Sequence, residues 1–298
     1  MPLPLEAVPN VSEGRDPVTI DALATAFSRG VELLDVHTDG DHNRSVFTLV
    51  GEDEALVEAL VAGIACAVER VDLRRHEGVH PRIGAADVVP LVPLRPEDMP
   101  RARASALRVA ERVGAELGLP VFLYGEVGGG RRPAELRRGG PVELEARLDR
   151  GELRPDRGPG RLHASAGGVI VGARGPLVAF NVNLRGADIE TARAIAALVR
   201  EAGGGYPGVR ALGLELPALG LVQVSMNVER PDAVGLHELV ARIEREALAR
   251  GAEVAGSELV GLMPAAAALA AAGTALRLID LGPAHVLELR LAGATLGG

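Results

Sequence analysis

An α/β (α+β) protein built as two sandwich lobes with mixed sheets is the fold class this sequence predicts, on three observations. Short β-branched or alternating apolar runs take turns with stretches whose apolar residues recur three or four apart. Between about Gly128 and Gly168 that periodicity fails in a Gly-, Pro- and Arg-rich stretch, after which a strand-and-helix pattern starts afresh. A length of 298 residues with 47% hydrophobic side chains suffices for two cores of ordinary size. The boundary is expected near Arg174–Pro176, giving lobes of residues 1–175 and 176–298 with a ligand site in the cleft between them.

In chain order, the first lobe has strand patterns at Leu3–Val8, Val31–Val36, Ser45–Val50, Asp87–Leu94, Val121–Tyr124 and Val169–Ala173. Helical patterns lie between them at Val18–Ser28, Glu54–Arg70 and Glu97–Leu117, starting after Asp, Pro or Glu and stopping near Gly, as at Gly30 and Gly118. The irregular stretch offers only short helices around Ala134–Arg138 and Pro141–Leu148. In the second lobe, strands are expected at Leu177–Leu184, Leu221–Asn227 and Val286–Leu291, and helices at Ile189–Arg200 and Val234–Arg250. Leu259–Leu276 is Ala-rich and broken by Gly261, Pro264 and Gly273, so it reads as a soluble helix rather than a membrane span.

Composition narrows the partners. Aromatic residues are 2% of the chain, so the cores must be built from Ala, Val and Leu. A net charge of −8 gives no overall attraction for nucleic acid or anionic membrane, and neither is expected as a partner. None of the 32 cationic residues is Lys, so every fixed positive charge is an arginine fork. Nine of these arginines fall between Arg131 and Arg161 against six acids, a local excess of +3 inside an otherwise acidic chain. A small anionic ligand would account for it, as would a solvated face laced with ion pairs. Lone Cys66, in an apolar run, reads as a buried helix cysteine, and the start of the chain lacks a basic-then-apolar leader, so a cytoplasmic protein is expected.

His76-Glu77-Gly78-Val79-His80 satisfies the H-E-x-x-H pattern of helical zinc sites. That chemistry needs both histidines on one helix face, yet Gly78 is central and Pro81 pushes His80 away from helical dihedrals. No further ligand stands at suitable spacing, so no metal is expected. Four of the seven histidines, His37, His42, His76 and His80, nevertheless fall inside 44 residues among Asp39, Asp41, Arg44 and Arg82. That density suits proton transfer near neutral pH, and equally anion capture at glycine-flanked amides. The chain has no G-x-S-x-G elbow, no P-loop and no G-x-G-x-x-G between a strand and a helix, and Gly128–Gly130 and Gly203–Gly205 read as glycine runs in loops.

Several segments together resemble the formiminotransferase (glutamate formimidoyltransferase) family. They are VPNVSEGRD (Val8–Asp16), LLDVHTDGDHNRSVFTLVG (Leu33–Gly51), DLRRHEGVHPRIGAADVVPLVPL (Asp72–Leu94), GLPVFLYGE (Gly118–Glu126) and PDRGP (Pro155–Pro159), followed by VGARGPLVAFNVNL (Val171–Leu184), GVRALGLEL (Gly208–Leu216), QVSMN (Gln223–Asn227) and SELVGLMP (Ser257–Pro264). The resemblance implies transfer of the formimino group of N-formimino-L-glutamate to tetrahydrofolate as co-substrate, a late step of histidine degradation. It further implies a homodimer with folate in the cleft between the lobes; no fused deaminase domain is expected, and a separate cyclodeaminase is expected to act downstream.

Residue by residue, His80 within H-P-R-I-G-A matches the family's catalytic histidine. The folate-contacting stretch matches Gly158, Pro159, Gly160, Arg161, Leu162, His163, Ala164, Ser165, Ala166 and Gly167, with Ala166 standing where the mammalian pattern has an aromatic residue. An acidic site residue of the mammalian enzyme aligns with His37, so its role passes to His37 or to Asp39. Arg44 and Arg82 are candidates for the carboxylates of formiminoglutamate, or for ion pairs that position the loop, and Asn181 and Asn183 for facing the cleft. Transfer of a formyl group from 5-formyltetrahydrofolate, or folate binding without turnover, are the alternatives.

Overall fold

Residues 3–278, 281–286 and 289 are described by a computed structural model. The chain falls into two units, Met1–Gly175 and Pro176–Gly298. In the first, β1 (Leu5–Ala7) and β2 (Asn10–Val11) form one interrupted strand between β4 (Arg44–Gly51) and β5 (Ala86–Pro93), antiparallel to both. Strand β3 (Glu32–Asp39) pairs antiparallel with β4. On the other side of β5, β7 (Val169–Ala173) and then β6 (Val121–Gly125) are added in parallel, so the sheet is mixed.

The period-2 alternation of these strands decides what covers each face. Val121, Leu123, Val169 and Val171 point into a core completed by α1 (Pro17–Phe27), α2 (Asp53–Arg70) and α3 (Met99–Glu116). Their neighbours Phe122, Tyr124 and Ile170, with Val88, point the other way, onto Leu136 of α4 (Pro133–Arg137) and Leu144 of α5 (Gly140–Asp149). Burial of both faces is why β5 reads as a nearly continuous apolar run. The arginine-rich connection therefore folds as two short helices that roof the second face of the sheet. Asp16 starts α1 by accepting the Val18 and Thr19 amides. Cys66 lies on α2, half-buried rather than sealed in the core.

The second unit runs β8 (Val178–Arg185), α6 (Ile189–Val199), β9 (Val209–Leu216), β10 (Leu221–Val228), α7 (Leu236–Leu248), β11 (Glu253–Val260) and α8 (Ala265–Leu276). Its sheet has the order β11-β8-β10-β9 with every pairing antiparallel, a split β-α-β arrangement. Even-numbered residues of β8 and β10, among them Val182, Leu184, Val224 and Met226, pack beneath α6 and α7. The odd-numbered ones, Asn181, Asn183, Gln223 and Ser225, therefore lie on the opposite face.

Two strands escape the periodicity, β9 and β11, and both are edges of this sheet. An edge strand needs little apolar patterning, and β11 is also bulged at Val254/Gly256. The stretch Leu259–Leu276 divides, its first residues ending β11 and the rest forming α8 after Pro264. Most of the strand expected at Val286–Leu291 lies outside the described residues. Among the described residues no helix is long and apolar enough to cross a membrane.

Candidate active site

Three segments of the first unit converge: the β3–β4 turn, the loop of residues 76–84 ahead of β5, and the segment of residues 158–168 ahead of β7. Asn43 fixes the turn in a left-handed conformation (φ 47°), which Asn tolerates better than most residues. Its Oδ1 accepts the Gly14 amide at 2.9 Å, and its Nδ2 donates to the Glu77 carbonyl at 2.8 Å. The 76–80 segment is thereby laid along the turn in irregular, non-helical backbone. At Gly78 a Cβ would stand 2.5 Å from the His42 carbonyl oxygen and 2.9 Å from Asn43 Cβ, so only glycine allows the two loops to approach. His76 and His80 thus share no helix face. Among the described residues no group of three or more His, Cys, Asp or Glu is arranged to hold a metal ion.

Arg82 pins this loop. Its Nε and Nη2 donate to the His80 carbonyl at 3.0 and 2.7 Å, and Nη2 also reaches the His42 carbonyl at 3.0 Å. Its Nη1 faces the His76 ring and the Asn43 carbonyl. Every nitrogen of the fork is engaged inside the protein. Of the two readings open for this arginine, the geometry fits the loop-positioning one.

Arg44 is placed differently. Its Nη1 lies 2.7 Å from His80 Nε2, and the fork makes no other hydrogen bond among the described residues. Because guanidinium can only donate, His80 Nε2 carries the lone pair and its proton resides on Nδ1. Burial depresses the pKa of His80 well below the ordinary histidine value, and the neighbouring cations Arg44, Arg137 and Arg82, with His42, add to the effect. The imidazole is a neutral base held among cations. Burial also draws Arg44 down to about 10, which leaves it charged at neutral pH. The His42 ring is tilted against His80, 5.9 Å between centroids, and Asp39 accepts the His42 amide at 2.8 Å, closing the turn. Asp39 also stands opposite Arg44 in the β3–β4 register, and His37 lies two residues earlier on the same strand, opposite Val46.

Asp87 and Arg137 belong to the site and are not legible in the sequence as its members. Asp87 is 1% exposed on β5; its Oδ1 accepts the Ile83 amide at 2.7 Å and its Oδ2 accepts from Arg137 Nη2 of α4 at 2.5 Å. One signal did point to it, since a carboxylate in the buried run Ala86–Pro93 demands a cation. Nothing in the sequence says which of nine nearby arginines answers.

The segment matching the expected folate stretch is sewn to the same loop. Gly168 N donates to the Ile83 carbonyl at 3.0 Å, Ala85 N to the Ala166 carbonyl at 2.9 Å, and Leu73 N to the Ser165 carbonyl at 2.8 Å. A Cβ on Gly84 would lie 1.8 Å from the Gly168 oxygen, so the backbones touch only because glycine is there. His163 and Gly167 exchange both backbone hydrogen bonds, and His163 Nδ1 accepts the Ala166 amide at 3.1 Å, which leaves the ring proton on Nε2. Gly158, Pro159, Gly160, Arg161 and Ala164 are exposed, Leu162, His163 and Ser165 half-buried, and Ala166 and Gly167 buried. Ala166 is part of the core of the first unit, so no ring stacks from that position.

Comparison with known families and proteins follows the same division of the chain. Residues 4–174 match the formiminotransferase domain, N-terminal subdomain, and residues 179–278 match the formiminotransferase domain. Glutamate formimidoyltransferase of Streptococcus pyogenes serotype M1 is 41% identical over 297 residues, covering 97% of this chain and 99% of that protein. The protein of the same name from Thermoplasma acidophilum is 36% identical, covering 96% and 97%. Formimidoyltransferase-cyclodeaminase of Sus scrofa is 40% identical over 90% of this chain and 51% of its own length.

Proposed function

The chain belongs to the formiminotransferase family, and from that membership we propose that it transfers the formimino group of N-formimino-L-glutamate to tetrahydrofolate, giving 5-formiminotetrahydrofolate and L-glutamate in histidine degradation. The observation that carries the mechanism is a neutral His80 enclosed by Arg44, Arg82 and Arg137. The attacking folate amine forms a bond to the formimino carbon, and its proton passes to the lone pair on His80 Nε2. The same proton then reaches the glutamate nitrogen as its bond to that carbon breaks. A base that starts neutral and finishes neutral suits both transfers.

Arg44 has a second task in this reading. Of the three cations around His80 it is the one whose fork is held neither by backbone carbonyls, as in Arg82, nor by a carboxylate, as in Arg137, so it is assigned to a carboxylate of formiminoglutamate, whose arrival draws it from Nε2 and frees the lone pair. Arg82 holds the loop. Asp39 supports the β3–β4 turn and Arg44, so the role of the family's acidic residue falls to Asp39 rather than His37. The exposed part of the 158–167 segment and the Nε2 proton of His163 are offered to folate. Family membership also supports a homodimeric, cytoplasmic enzyme.

The test is incubation of the purified protein with formiminoglutamate and tetrahydrofolate. Equal amounts of glutamate and formimino-substituted folate are expected. Absence of both, with glutamate and 5-formyltetrahydrofolate exchanging a formyl group instead, overturns the assignment.

A further inference from the structure

Asp87 is the one fully buried carboxylate among the described residues, and the proton transfer itself does not involve it. An arginine–carboxylate pair built for stability is bidentate, with both oxygens facing two nitrogens of the fork. Here the two oxygens part. Oδ2 accepts from Arg137 Nη2 at 2.5 Å, whereas Oδ1 turns to the Ile83 amide at 2.7 Å. Arg137 Nε is left buried with no acceptor among the described residues. A buried donor without a partner is costly, and native proteins keep one where another requirement overrides pairing.

The requirement visible here is the His80 loop. Arg82 holds the His80 carbonyl at 2.7 Å, Asp87 holds the Ile83 amide, and the Ile83 carbonyl accepts the Gly168 amide at 3.0 Å. The imidazole therefore rides on a segment fixed at both ends. Charge supplies a second argument. Burial draws Arg44 and Arg82 down to about 10, and the Asp87 carboxylate opposes that fall in each. Once His80 takes the proton, it becomes a fourth cation beside Arg44, Arg82 and Arg137, and a fixed negative charge among them favours that state. We propose that Asp87 is a positioning residue of the reaction, one oxygen aiming the His80 loop while its charge offsets the arginines so that His80 can accept the proton. Arg137 of α4 keeps that carboxylate ionised and in place. This role rests on the transferase reading; the geometry does not.

Asp87→Asn separates the two duties, because the amide oxygen still accepts the Ile83 N–H while the charge is gone. The variant is compared with the unaltered protein for kcat, for KM of formiminoglutamate and of tetrahydrofolate, and for hydrogen exchange of the Ile83 amide. The expected result is a kcat lowered by about tenfold or more, with both KM values within about threefold and Ile83 still protected. Asp87→Asn combined with Arg137→Met loses one charge of each sign, so the double variant should turn over about threefold faster than the single one, or better. A smaller loss with Ile83 protected, a loss that falls on KM instead, or a double variant no faster than the single one overturns the proposal. If Asp87→Asn alone fails to fold or exposes Ile83, the double variant decides: a kcat within about tenfold of the unaltered protein supports the charge balance, and a larger loss overturns it. An unaltered protein without transferase activity overturns the transferase reading itself, and this role with it.

Discussion

Arg137→Met should destabilise the first unit by about 3 kcal/mol, because it strands a buried carboxylate. Asp87 is 1% exposed, whereas Arg137 is 15% exposed, so water reaches part of the guanidinium but hardly any of its partner. Truncating one member of a buried pair typically costs about 3–5 kcal/mol, and partial access to the arginine places this case at the lower end. Asp87→Asn keeps an oxygen for the Ile83 amide, bonded at 2.7 Å, and removes the charge. The double variant should therefore recover much of the loss, with a coupling energy of about 2–4 kcal/mol against the few tenths found for independent sites. Denaturant unfolding followed by circular dichroism measures the four proteins. Amide hydrogen exchange of residues 82–86 reports whether the loop itself has loosened. A loss under about 1 kcal/mol for Arg137→Met, or a double variant equal to the two singles combined, would refute the argument.

Three other outcomes follow from the same geometry. His80 and His76 are both held below the ordinary histidine pKa, chiefly by burial, so below about pH 6.5 the unfolded chain binds more protons than the folded one and stability must fall with pH. His80→Gln should flatten that slope in unfolding measured between pH 7 and 5; an unchanged slope assigns the effect elsewhere. Arg44→Gln removes a cation beside the base, so the acid limb of kcat/KM should move to higher pH while KM for formiminoglutamate rises by about tenfold or more. A pH profile that stays in place would separate Arg44 from the base. Gly84→Ala drives a Cβ against the Gly168 oxygen and should cost about 3 kcal/mol or more, whereas Gly160→Ala meets nothing within 4 Å and should stay within about 0.5 kcal/mol in thermal unfolding.

The sequence displays most of the fold, because strands buried on both faces, such as Val169–Ala173, and capped helices, such as α1 after Asp16, carry strong local patterns. The edge strands β9 and β11 do not, since their pairing is decided by neighbours distant in sequence rather than by their own apolar period. The site divides the same way. His80 and Arg44 are legible through the histidine-rich segments and their resemblance to the family, and the failure of His76–His80 as a helix through Gly78 and Pro81. That Arg82 spends its fork on carbonyls, that Asp87 chooses Arg137, and that Arg137 Nε is left one partner short are tertiary facts. Each depends on where a loop or a strand partner arrives, and no spacing encodes it.

The central claim is that a neutral His80 carries the proton between the two nitrogens of the transfer. Single-turnover measurement of glutamate release at saturating formiminoglutamate and tetrahydrofolate, with His80→Ala beside the unaltered protein and folding verified for both, tests it directly. The account predicts a loss of about 10²- to 10⁴-fold in rate with substrate binding largely retained. A variant that stays within about tenfold of the unaltered protein would contradict it.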